Sequence, residues 1–181
     1  MTNTFRSFKT IKSIPVRSDA VRDVLVHLTF DPKVTAIDHF DDISLEDASI
    51  PAEAIFVKIT MRRYLLEIEP AVRTARRVAD YAGRLGIGRR VITTADIRRL
   101  PCYANVQEIW RHADGTVPVA LRMRVFSQLR KQGALPMAEL MKSLREFDAA
   151  KDALMSLACF GLIRIDLNAP LSSGTLIRIA N

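Results

Sequence analysis

The spacing of apolar residues changes several times along the chain, and each change marks an element. Ala20, Val21, Val24, Leu25 and Leu28 recur at steps of three and four, which predicts an amphipathic helix with Ser18 as its N-cap. Phe30-Asp31-Pro32 closes it, because proline disfavours the helical conformation in the residue before it. Val34 to Phe40 reads as a strand, and the acidic segment Asp41 to Ala48 as a loop or hairpin. Two β-like runs follow, Ala54 to Met61 and Tyr64 to Ile68, the second apolar and closed by Pro70 like a central strand leaving its sheet. From Ala71 to Leu85 the period is helical again. Val72, Ala75, Val78, Ala79, Ala82 and Leu85 fall on one side, and Arg73, Arg76, Arg77 and Arg84 on the other. Gly86 ends that helix, Arg89 to Thr93 reads as a strand, and Thr94 is read as the cap of a short helix through Leu100. A strand–helix–strand order of this kind predicts a sheet with at least one helix laid over it. Ahead of all this, Phe5 to Val16 interleaves cations with Phe, Ile and Val and reads as a basic arm ending in a short strand.

The pattern shifts near His112 to Val117, where Asp114-Gly115 signals a turn and Pro118 a helix start. The domain boundary is placed there, giving residues 1–114 and 115–181. Three helical segments follow, Val119 to Lys131, Pro136 to Leu144 and Phe147 to Phe160. Ile163 to Leu167 and Thr175 to Ile179 then pair as a hairpin around residues 170–174. Three helices and a hairpin are the order of a winged helix. The expected fold is therefore α/β, a mixed sheet flanked by helices, followed by a small winged-helix domain.

Composition narrows the function classes. With 49% hydrophobic and 26% charged residues the chain is expected to be globular, which excludes wholesale disorder. No apolar run is long enough to span a bilayer, and Met1 to Arg6 lacks the apolar stretch of a signal peptide. Cys102 and Cys159 stand alone and are read as reduced thiols of a cytoplasmic protein. The 27 Lys and Arg residues outnumber 20 acidic ones, so a polyanionic partner is expected, with nucleic acid the usual one.

The best-placed cations for DNA are Arg73, Arg76, Arg77 and Arg84, helped by Arg89, Arg90, Arg98 and Arg99, since guanidinium groups grip phosphate without reading sequence. The alternative is a solvated helix face balanced by Asp80. A weaker candidate is the arm, with Arg6, Lys9, Lys12 and Arg17. The segment Phe147 to Phe160 offers Asp148, Lys151, Asp152 and Ser156, a poor set for a groove-reading helix. Arg122, Arg124, Arg130 and Lys131 lie on the preceding helix instead, and Arg164 and Arg178 on the hairpin. That second module is accordingly read as a protein-docking surface. His27, His39 and His112 are too isolated for zinc, and no nucleotide-binding or GxSxG motif occurs. Tyr103 and Trp110 are read as core residues at the boundary.

Taken in order, these segments resemble the TnsA-like transposon endonucleases. The resemblance runs from Ser18 to Val34, through Tyr64 to Pro70, Gly86-Ile87, Val91 to Arg98 and Asn105, to Gly161 to Leu167, Pro170-Leu171 and Thr175. It implies a PD-(D/E)xK restriction-endonuclease-like domain followed by a winged-helix-like domain, working with transposase partners. Such nucleases hold Mg²⁺ with an Asp and a second carboxylate or amide, and place a Lys two residues further along the same strand face. In this chain the acidic helix position falls on Arg17 or Val21, the Pro-Asp pair on Pro51-Ala52, and the E-x-K motif on Glu67-Ile68-Glu69.

Three substitutions at independent positions imply a nuclease fold without catalytic residues and without a cofactor. The expected role is a DNA-associated scaffold or regulatory subunit touching DNA through its backbone, with a protein partner docked on the winged helix. The alternative is a divergent Mg²⁺-dependent DNA endonuclease whose migrated site uses Glu67 and Glu69 with Glu53 or Asp47; the plainer reading sets Glu67 and Glu69 at a solvated strand end beside Arg62, Arg63 or Arg73. A homodimer through an exposed edge strand is left open beside the monomer.

Overall fold

The computed structural model describes residues 4–39, 55–68 and 79–180, and divides them between two compact units, Met1–Ile97 and Arg98–Asn181. The fold class is α/β, as expected: the first unit holds a four-stranded mixed sheet flanked by helices.

In the first unit a two-stranded ribbon, β1 (Thr4–Phe5) with β2 (Ile14–Pro15), leads into α1 (Asp19–Phe30). The Ser18 side chain accepts the Val21 N–H at the start of α1, the cap its sequence position promised. The end of α1 is held by Lys9 of the arm, whose Nζ donates to the carbonyls of Leu28 (3.2 Å) and Asp31 (2.6 Å). A cation on the last carbonyls satisfies acceptors that have no partner within the helix. Lys9, read as part of a basic arm for nucleic acid, is thus used inside the fold.

The sheet runs β3 (Val34–His39), β4 (Ile55–Ile59), β5 (Arg62–Ile68) and β6 (Gly88–Ile92) in that order. The first three form an antiparallel meander, and β6 joins β5 in parallel after helix α2, whose described part is residues 79–84. Tyr81 and Ala82 of α2 pack on Leu65, Phe56 and Ile87, so α2 covers one face of the sheet. Ile37, Ile55, Val57 and Leu66 are buried, and the register puts them on the opposite face, the side of α1. The turn between β4 and β5 holds Thr60 at φ 56°, a left-handed conformation that a β-branched residue adopts at a cost. Gly86, at φ 63°, ends α2, and the Ile87 N–H reaches back to the Ala82 carbonyl.

After β6, helix α3 (Thr94–Ile97) is capped by Thr93 rather than Thr94. Thr93 Oγ1 accepts the Asp96 N–H while the Asp96 carboxylate accepts the Thr93 N–H, a reciprocal box.

The second unit opens with α4 (Cys102–Trp110), which the sequence reading left unassigned inside residues 1–114. The compact units divide ahead of α4, at 97/98, because this helix packs on α7 (Ala150–Cys159) of its own unit. Asn105 on α4 is buried, donates to the carbonyls of Leu167 and Ala169, and accepts the Leu171 N–H, pinning the 167–171 loop. Cys159 Sγ donates to the Ile109 carbonyl, and burial pushes its thiol up to about 12.

The remaining elements are α5 (Val119–Gln132), β7 (Leu135–Pro136), α6 (Met137–Ser143), α7, β8 (Ile163–Ile165) and β9 (Leu176–Ile179). The three strands pair in the order β7-β9-β8, all antiparallel. Gly133, at φ 77°, stops α5 and lets the chain turn straight into β7, a strand too short to leave a periodic trace in the sequence.

Candidate functional site

The residue on which the sequence reading turned, Glu67, sits near the end of β5 on the face covered by α2, sharing that side with Leu65 two residues earlier. It is only 7% exposed. The parallel register sets Arg89 of β6 beside Leu65, so the Arg89 side chain emerges on the same face and leans toward the carboxylate. Arg89 Nε donates to Glu67 Oε2 at 2.7 Å, and Nη2 lies 2.5 Å from the same oxygen. Both donors converge on one oxygen. The other, Oε1, is buried and has no hydrogen-bond partner among the described residues.

This arrangement bears on Mg²⁺ directly. A divalent ion of that size wants about six oxygen ligands in near-octahedral order, one or two of them carboxylates. Here one carboxylate is present and a guanidinium, a permanent positive charge, occupies its outer oxygen. Among the described residues no group of three or more His, Cys, Asp or Glu side chains comes together. The described residues therefore do not fit a Mg²⁺ site, and no step of chemistry is derived through one. Glu53, Glu69, Asp47 and Ala52, the other residues named for that site, lie outside the described residues.

Of the eight arginines proposed for DNA, five lie among the described residues, three in the first unit and two in the second. Arg73, Arg76 and Arg77 lie outside the described residues. Arg84 is exposed on α2 with its guanidinium over the Tyr81 ring, 5.8 Å from the centroid. Arg89 is engaged by Glu67. Arg90 follows it on the strand and so points to the opposite face, close enough to His27 of α1 to help hold that imidazole below its usual range. The larger cause for His27 is burial, and its Nδ1 has no hydrogen-bond partner. Arg98 and Arg99 belong to the second unit, where Arg98 stands over the Tyr103 ring at 6.0 Å.

In the second unit α7, the last helix before the β8–β9 hairpin, is closed off. Every residue of α7 from Ala153 to Cys159 is buried, together with Ala150. Ser156, one of the four polar residues the sequence offered there, donates its hydroxyl to the His112 carbonyl at 2.9 Å. A Cβ on Gly115 would fall 2.2 Å from that hydroxyl, which explains why the turn after α4 uses glycine where it crosses α7. Between them, α4 and this turn pack against α7, leaving Lys151 and Asp152 exposed.

No family model matches the chain, and no curated protein does. No helix among the described residues is long and apolar enough to cross a membrane.

The sequence sets Glu67 either at a metal or at a solvated strand end beside Arg62, Arg63 or Arg73, whereas its partner is Arg89 and the carboxylate is buried. Only the strand register joins them, across 22 positions. Asn105 was noticed for its place in the resemblance, but nothing local in the sequence announces which carbonyls it holds.

Proposed function

We propose that this chain is a TnsA-like nuclease-fold protein whose catalytic chemistry is lost and which associates with DNA as a scaffold or regulatory subunit. The observation that carries the reading is the Arg89 guanidinium seated on the buried Glu67 carboxylate, where a metal-dependent nuclease needs that oxygen for its ion. The helix–strand–strand–strand–helix–strand order of the first unit supports the nuclease-like fold, with Glu67 on the third strand of the sheet. The run of α5, α6 and α7 into the β8–β9 hairpin supports a winged-helix-like second unit. The closed face of α7 favours backbone contact over base reading.

The rival is the divergent endonuclease, and the unpartnered Glu67 Oε1 is the observation in its favour. Incubating the protein with supercoiled, linear and branched DNA in Mg²⁺ and then Mn²⁺ separates the two. The scaffold reading expects no products beyond the protein-free control. Cutting that disappears in EDTA and in Glu67→Ala would replace it with the endonuclease.

A further inference from the structure

The positive charge of the chain is unevenly divided. Residues 98–181 carry 12 Lys and Arg against 7 Asp and Glu, leaving 15 against 13 for residues 1–97. Five of the seven excess charges (12 − 7) therefore lie in the second unit. Within that unit they gather on α5 and the hairpin. From Gly115 to Ala138 the sequence has no acidic residue, and α5 exposes Arg122, Arg124, Arg130 and Lys131. Arg124 reaches only the Ser143 carbonyl, at 3.4 Å. Arg122, Arg130 and Lys131 have no ion-pair or hydrogen-bond partner among the described residues.

The hairpin adds to this concentration. Arg164 of β8 and Arg178 of β9 are register partners in an antiparallel pair, so their side chains leave the same face side by side. Arg178 is exposed and, like the α5 cations, has no partner among the described residues. Ala134, the residue after the α5 stop, precedes Leu135, which pairs with Ile177 next to Arg178. The C-terminal end of α5, with Arg130 and Lys131, is thereby tied by β7 to the strand that carries Arg178.

We infer that α5 and the β8–β9 hairpin form a contact surface for the phosphate backbone of duplex DNA, with Arg122, Arg130, Lys131 and Arg178 as its phosphate contacts. This rests on the DNA-associated reading above and moves the contact from the arginines of the first unit to the second. Charge complementarity carries it: a continuous polyanion suits cations that have no internal anion to satisfy. Arginine predominates, and its planar fork matches phosphate. No exposed aromatic stands among these cations, so the surface lacks the stacking platform that single-stranded nucleic acid uses. The exposed apolar residues on α5, Val119 and Met123, flank Arg122 near its start and lie away from Arg130 and Lys131.

The test uses the full chain, a 30-base-pair duplex (about three helical turns) and fluorescence anisotropy across a salt series. The variants are R122Q/R130Q/K131Q, R178Q and a charge-matched control in the first unit, K33Q/K58Q/R63Q. All these residues are exposed, and thermal melts check that each variant folds. The triple variant is expected to bind at least tenfold more weakly, with the log–log salt slope falling by about 2–3, roughly one per lost phosphate contact. R178Q should lower the slope by about 1. The control should change affinity less than about threefold, a charge effect without a lost contact. If the wild type binds and the triple variant binds as the control does, the surface is wrong while the DNA-associated role stands. A wild type that ignores duplex DNA at low salt overturns both. Equal binding to phosphatidylserine vesicles through the same residues would assign the surface to an acidic membrane and overturn this assignment.

Discussion

The two units differ in what certain of their cations do. In the first, three are spent on the fold itself: Lys9 holds the end of α1, Arg84 lies over Tyr81, and Arg89 pairs with Glu67. In the second, Arg122, Arg130, Lys131 and Arg178 have no ion-pair or hydrogen-bond partner among the described residues. A count of positive charges does not distinguish these situations, although their consequences differ. A cation engaged by a buried anion stabilises the protein and is poorly available to a ligand, whereas an unpartnered cation contributes little to folding and can serve a ligand at small cost.

This contrast can be broken most severely at the Glu67–Arg89 pair. Arg89→Ala leaves a buried carboxylate uncompensated and is expected to cost about 3 kcal/mol in urea unfolding, at the low end for buried pairs because Arg89 is 29% exposed. Glu67→Gln together with Arg89→Met should recover most of that loss. A destabilisation by Arg89→Ala below about 0.5 kcal/mol would mean the pair behaves as a surface contact. Next in size is Lys9→Met, which keeps the aliphatic stem and removes the ammonium from two helix-end carbonyls. A loss of about 1 kcal/mol is expected, and an unchanged melting temperature would put Lys9 with the idle cations.

His27 sharpens the comparison through pH. Its folded-state pKa lies below the ordinary 6.5, chiefly through burial, so the unfolded chain takes up the proton first. Its contribution is whole above pH 6.5 and is lost as pH falls through the lowered value. His27→Gln should make the decline in stability below pH 6.5 measurably shallower, and an identical pH profile would remove His27 from the account. At the small end, Arg122→Gln and Arg130→Gln should each change stability by less than about 0.5 kcal/mol. A larger loss would reveal a structural role and weaken the claim that these side chains are held for a ligand.

Much of the architecture was legible because it rests on local periodicity and capping. The Ser18 cap, the stop at Pro32, the β4–β5 pair and the α5–α6–α7 series each announce themselves within a few residues. α4 was missed because its pattern is short and follows Pro101, a residue that reads as punctuation. The first residue of α3 was misjudged by one because Thr93 and Thr94 are equally good caps, and only Asp96 settles which is used. The site was harder to read. Glu67 stands out in the sequence, but its partner comes from strand register, a nonlocal property that side-chain spacing along one strand does not encode. The buried state of α7 has the same origin, since its amphipathic pattern left room for an outward face that α4 and the turn at Gly115 take up.

The small bridge between the arm and the sheet limits how copies of this protein can join. The Ile37 N–H of β3 donates to the Lys9 carbonyl, and the Ile11 N–H donates to the Ile37 carbonyl, so the arm occupies that edge of the sheet. At the opposite edge, no strand among the described residues pairs with the outer side of β6. Edge-to-edge growth needs two open sides to propagate, and here the arm bridges one of them at Ile37. A copy pairing through β6 alone would meet the same strand across a twofold axis and stop at a pair. The arm thus acts as a guard on the edge it crosses, taking backbone groups that a second copy would otherwise have used.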